Sequence, residues 1–123
     1  MSISNYCELK LLDAVFNATA FSVTTPYISL HTGDPGETGA SEVTGGSYAR
    51  QSGSFAAAAA GATSNDATIS FATMPAATIT HVGVWDASTA GNFLWGGALT
   101  ASKTVNSGDT VQIASGDLDV TLD

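Results

Sequence analysis

His31 and His81 are the only imidazoles in the chain. Either would need a nucleophile beside it and an orienting carboxylate behind it to work as a hydrolytic base. Serines are plentiful, but none stands in a strained Gly-x-Ser-x-Gly elbow. Ser52-Gly-Ser54 and Gly45-Gly-Ser47 read as flexible chain. Zinc asks for four Cys or His ligands, and the sequence holds three such residues in all. Asp34, Glu37 and Glu42 put hard oxygen ligands on a glycine-rich loop, which would suit calcium. Their spacing matches no EF-hand, and a solvated acidic loop is the simpler expectation. Asp117 and Asp119 share one strand face with no second wall to make a glycosidase cleft. Trp85 and Trp95 could stack a sugar, although such residues more often anchor a core or an interface. Gly45-Gly46 is followed by no Gly-Lys-Ser/Thr and makes no phosphate cradle. Cys7, the one cysteine, can form no intrachain disulfide and reads as a small buried apolar group. No catalytic residue, cofactor or metal is expected, and the chain reads as a non-enzyme.

The charge balance points the same way. The net charge is −8, and only Lys10, Arg50 and Lys103 are basic. Nucleic-acid binding takes several phosphate contacts from Lys or Arg, so neither nucleic acid nor an anionic membrane is an expected partner. Charged residues make up 11% of the chain, against about 25% in an ordinary domain; Ser, Thr, Ala and Gly fill the gap. The N-terminal residues lack a basic stretch followed by an unbroken apolar one, so no secretion signal is expected. No run approaches the ~20 apolar residues of a membrane-spanning helix. The 123 residues suit a single domain, 1–123, with one core and no need of staples.

Two kinds of element would position these residues. Residues 4–17 read as an amphipathic helix, capped by Ser4 or Asn5, with Asn5-x-x-Glu8 at capping-box spacing. Leu9, Leu12, Val15 and Phe16 form its apolar stripe, with Tyr6 a turn earlier. The plain expectation is that this stripe covers the body of its own domain. The sharper one is an arm that docks on a neighbour, with Leu11 available for a second contact. From residue 26 to 123 the pattern is that of strands. Ile28 and Leu30 alternate, as do Ile69 and Phe71, Val111 and Ile113, and Leu118, Val120 and Leu122. The 78–86 and 92–100 segments flank a short hairpin loop, Ala87 to Gly91. Residues 48–55 read as another strand, 56–61 as an extended or turning connection, and 103–105 as a short edge strand. Gly83, Gly96 and Gly97 inside strands call for a large neighbour to use the space, and Trp85 and Trp95 are the obvious ones. The polar loop from Gly33 to Gly46 is long enough to be functional or mobile. The sum is a mainly β fold, an antiparallel, jelly-roll-like β-sandwich of about seven to eight strands with one N-terminal helix.

Several of these stretches together carry a resemblance. They are the Glu8-Leu-Lys-Leu-Leu12 helix, Tyr27-Ile-Ser-Leu-His-Thr-Gly-Asp-Pro-Gly-Glu-Thr-Gly39, Glu42-Val-Thr-Gly-Gly-Ser-Tyr-Ala-Arg-Gln51 and Ile79-Thr-His-Val-Gly-Val-Trp-Asp86. Asn92-Phe-Leu-Trp-Gly-Gly-Ala-Leu99 and Leu118-Asp-Val-Thr-Leu-Asp123 complete the set. The chain resembles the short virion proteins of tailed phages labelled tail-fibre or head-decoration proteins. That resemblance covers nearly the whole chain and implies no catalytic residues. It implies a virion location after assembly in the host cytoplasm, with the major capsid protein or other virion proteins as partners. Many identical copies imply a symmetric oligomer, and a homotrimer of the chain is the expected one.

A fibre needs reach, from coiled coil, repeats or β-helix, and this sequence has none. Capsid decoration is accordingly the first expectation. A tail-fibre or tail-tip component contacting the host is the alternative, and a carbohydrate-binding module comes third. The candidate interface residues are Leu9, Leu12, Val15 and Phe16 on the helix, with Tyr48 and Arg50 on the loop that follows Gly45. Arg50 is expected to pair with a carboxylate such as Glu42 and so to organise that loop, or to reach a neighbouring subunit.

Overall fold

The computed structural model describes residues 2–122. It shows the expected class, mainly antiparallel β with one N-terminal helix. In chain order the elements are β1 (Ser2–Ile3), α1 (Asn5–Phe16), β2 (Tyr27–His31), β3 (Gln51–Ser52), β4 (Ala62–Ser64), β5 (Ile69–Phe71), β6 (Ala77–Trp85), β7 (Phe93–Val105), β8 (Val111–Ile113) and β9 (Asp119–Thr121). Five strands form one sheet in the order β1-β7-β6-β2-β3, while β4 pairs with β9 and β5 with β8. All the pairings are antiparallel.

Alternation decides which side chains meet. Ile28, Val84 and Trp95 stand in register across β2, β6 and β7, as do Leu30 and Val82 beside them. These form one face of the large sheet and pack with Ile69 and Phe71 of β5, Val111 of β8 and Leu118 in a single apolar core. The positions between them, Ser29 and Gly83, point to the opposite face and are buried as well.

The opposite face of the large sheet carries Ser29, His31, Trp85 and Phe93, and it is covered by the loop after β2. The expected long loop is therefore well packed. Ser41 accepts from Thr32 N–H, and Val43 N–H donates to Leu30 C=O, so 41–43 runs antiparallel along the outer edge of β2. Gly39, with φ of +77°, lies against the Trp85 and Phe93 rings where a side chain would collide with both. The Phe93 ring also occupies the space left by Gly83 and Gly96. That is a correction to the expected role of the tryptophans: the ring that exploits these glycines is Phe93. Trp85 and Trp95 lie on opposite faces of the sheet, both buried, so they form no shared platform.

Several details differ from expectation. β7 is one strand of 13 residues that absorbs the expected edge strand at 103–105; its partner β6 changes register opposite it between Ile79 and His81. Of the expected strand at 48–55 only Gln51–Ser52 pairs regularly, because Tyr48 and Arg50 are drawn aside by side-chain bonds. Leu122, expected to face inward, is 57% exposed. β1 and β4 were not foreseen, for they are two and three residues long and too short for any alternation to show.

Candidate docking surface

The helix begins where Ser4 stops being strand. Ser4 N–H donates to Leu94 C=O and its hydroxyl to Phe93 C=O, which ties the helix start to β7. The same hydroxyl accepts from Cys7 N–H at 3.2 Å, the N-cap bond. Ser4 is thus the cap, and Glu8 falls one position beyond that of a capping box. Glu37 takes another of the free donors at this end, accepting from Asn5 N–H. At the far end Asn17 N–H and Thr19 N–H donate to Asp13 C=O.

This tether sets the helix's rotation. Tyr6 packs edge-on against Phe21, and Cys7 and Leu11 are half-buried on the side facing the sheet. Burial holds the Cys7 thiol above its ordinary value, with Glu8 adding to the effect, so it stays protonated. The apolar stripe points the other way. Leu9 is 64% exposed, Leu12 54%, Val15 72% and Phe16 75%, and no residue of α1 is buried. The expectation that this stripe covers its own domain is overturned. What rests on the body is the Tyr6–Cys7–Leu11 side, and the stripe faces solvent. Leu12, Val15 and Leu122 line a groove between α1 and the end of β9, with Leu11 and Ile3 on its inner side. Leu12, Val15 and Leu122 are exposed together at this groove, and Leu9 and Phe16 carry the exposed apolar surface on along the helix.

Tyr48 and Arg50, the other candidate interface residues, are engaged internally. Arg50 Nε and Nη2 donate to the Glu42 carboxylate at 3.0 and 2.9 Å. Its Nη1 donates to Ala87 C=O and Ala90 C=O at 3.0 and 2.8 Å. The guanidinium lies 3.6 Å from the Trp85 ring centre. Tyr48 donates its hydroxyl proton to Glu42 at 2.8 Å and accepts from Leu30 N–H. Burial keeps that phenol protonated far above its usual range. The network pins the 42–50 segment and the β6–β7 hairpin loop to one another.

Among the remaining chemistry-bearing residues, Ser29 and His31 are in direct contact. Ser29 Oγ lies 2.6 Å from His31 Nε2, the distance of a nucleophile and its base. Both residues are fully buried, and Nδ1 donates to the Ala40 carbonyl rather than to a carboxylate. Trp85 Nε1–H donates to Ser29 Oγ in turn. The chain of donors is thereby complete, and it welds the loop to the sheet. Asp34 accepts from Gly36 N–H and Glu37 caps α1, while Glu42 serves Arg50. These three carboxylates therefore point to different tasks, and among the described residues no cluster able to hold a metal ion occurs. A cleft of about 360 Å³ does open between β7 and the β8–β9 region. Leu30, Val82 and Trp95 are among the residues of its lining, with Lys103, Asp117 and Asp119 alongside. The sequence held no sign of it, because its walls come from strands far apart in the chain.

Burial holds the His31 imidazole below its ordinary value, against the opposing pull of the Ala40 hydrogen bond. Below the ordinary imidazole value of about 6.5 the unfolded chain takes up a proton that the folded chain refuses. This group's contribution to stability is therefore complete above that value and falls as pH drops toward the folded-state value. An NMR titration of the His31 ring protons is expected to show a midpoint below that of an unstructured histidine. A midpoint at or above it would mean the ring is not sealed.

A family model described as podophage GP4 fiber I protein gp80 matches residues 2–121, from β1 through β9. The chain belongs to this family. It is a structural component of a phage particle, of fibre type by its family's description. No curated protein matches the chain. No helix among the described residues is long and apolar enough to cross a membrane.

Proposed function

We propose that the chain is a compact, non-enzymatic fibre-type component of the virion, held to another virion protein through the exposed face of α1. The observation that carries this is the turning of four large apolar side chains, Leu9, Leu12, Val15 and Phe16, toward solvent on a helix firmly tied at its start. Exposed apolar area of this kind marks an interaction site. The family's description favours the fibre over the head, and the body would be a knob or collar carried by other chains. Symmetric copies, as a homotrimer, suit such a position.

Capsid decoration is the second reading, and its support is shape. Among the described residues the body includes no extended stalk, and decoration needs only a compact domain with a docking element. Cryo-EM of intact particles separates the two. Density for this fold on the tail is expected; density repeated across the head lattice would replace the fibre reading with decoration.

Docking through α1 has its own test. Leu12→Asp with Phe16→Asp changes two exposed positions, so the urea midpoint should move by no more than about 0.5 kcal/mol equivalent. Incorporation into particles should fall at least tenfold. A doubly substituted chain that assembles as well as the parent would remove α1 from the interface.

A further inference from the structure

We infer that the partner seated on α1 is an amphipathic helix of a different virion protein, its apolar stripe flanked by Lys or Arg, and not a second copy of this chain. The inference rests on the reading that the chain docks through α1. Leu9, Leu12 and Phe16 are spaced by three and then four residues, the a-d-a spacing of a helix-helix seam. At 100° per residue they fall within an arc of about 60°, so they present one narrow line that fits between the side chains of a facing helix. Val15 widens the line on one side, and Leu122 supplies the far wall of the groove.

The flanks of the seam decide the partner's charge. The positions on either side of it are Tyr6 and Asp13 on one flank and Glu8 and Val15 on the other. Neither flank holds a cation. Lys10, the only basic residue on the helix, occupies neither flank position; it is half-buried, its Nζ 5.6 Å from the Tyr6 ring centre. A parallel pair of copies would set Glu8 of one against Asp13 of the other, which is a like-charge contact. An antiparallel pair sets like flanks together, acid on acid or acid on apolar. The charge of −8 on each copy adds long-range repulsion to both arrangements. Lysine or arginine at the flanks of a partner helix removes the penalty and fixes the register. A homotrimer of this chain would then be built through another surface.

A photo-crosslinking residue placed at Leu12, in chains incorporated into particles, reads the partner directly. The expected product joins Leu12 to an apolar residue of a different virion chain with Lys or Arg within one helical turn. A product between two copies of α1, a partner peptide with no cation near the crosslink, or no product at all overturns the inference. Glu8→Lys with Asp13→Lys should cut incorporation at least tenfold at physiological salt; undiminished incorporation also overturns it. The Leu12→Asp, Phe16→Asp chain separates the two levels. If that chain assembles normally, docking through α1 is wrong. If it fails while the charge-reversed chain succeeds, only the basic partner is wrong.

Discussion

Gly83→Ala is expected to destabilise the fold by about 4 kcal/mol, the sum of overpacking at ~1–3 kcal/mol and the loss of buried hydrogen bonds at ~1–3 kcal/mol. A methyl group at this position would stand 2.6 Å from Phe93 Cε1, 2.7 Å from Ser29 Oγ and 2.8 Å from His31 Nε2. Three neighbours must move at once, and none has room. Phe93 is wedged between Trp85, with ring centres 5.2 Å apart, and His31 at 6.1 Å. Ser29 and His31 are bound to each other and to Trp85 and Ala40, so displacing them strands buried donors. Chemical unfolding of the variant should give a midpoint far below the parent's with an unchanged slope. A loss under about 1 kcal/mol, within the range of ordinary surface changes, would show that the Ser29–His31–Trp85 chain relaxes freely.

Arg50→Ala should cost about 3 kcal/mol, the lower end for breaking a buried ion pair, because the Glu42 side chain retains 20% of its exposure while that of Arg50 keeps 9%. The substitution does more than delete a charge. It leaves Glu42 with Tyr48 as its remaining side-chain donor, frees the Ala87 and Ala90 carbonyls, and uncovers the Trp85 ring. Arg50→Lys is expected to recover less than half of the loss. An ammonium cannot fork onto the carboxylate, reach two carbonyls and lie flat on the indole together. Urea midpoints check the energies, and tryptophan fluorescence should report the uncovering of Trp85. If alanine costs under 1 kcal/mol, the pair behaves like an exposed salt bridge and does not organise the loop.

Both effects were partly foreseeable. A lone arginine in an acidic chain, eight residues from Glu42, makes the ion pair an obvious candidate, and that pair is present. Its other partners come from the hairpin loop nearly forty residues on and from the Trp85 face, which no spacing along the chain could reveal. The glycines at 83 and 96 announced that something large sits over them. The wrong aromatic was the natural choice, because Trp85 and Trp95 are larger. Register decides for Phe93: Gly83 stands opposite Gly96, and Phe93 projects from the same face of β7.

The exposed helix face draws the same line more sharply. The sequence by itself determined that 4–17 would be an amphipathic helix with a stripe of Leu9, Leu12, Val15 and Phe16. It also determined that β6 and β7 would pair around a short loop, and that Ile28, Leu30, Ile69 and Phe71 would face a core. These follow from local periodicity, which any isolated segment already carries. Only the tertiary structure decided which side of the helix meets the sheet. Ser2 and Ile3 pair with Gly96 and Trp95, and Ser4 is bonded to Phe93 and Leu94. Those few long-range bonds fix the rotation of α1 before its side chains are placed, and they direct Tyr6, Cys7 and Leu11 inward and the apolar stripe out to solvent.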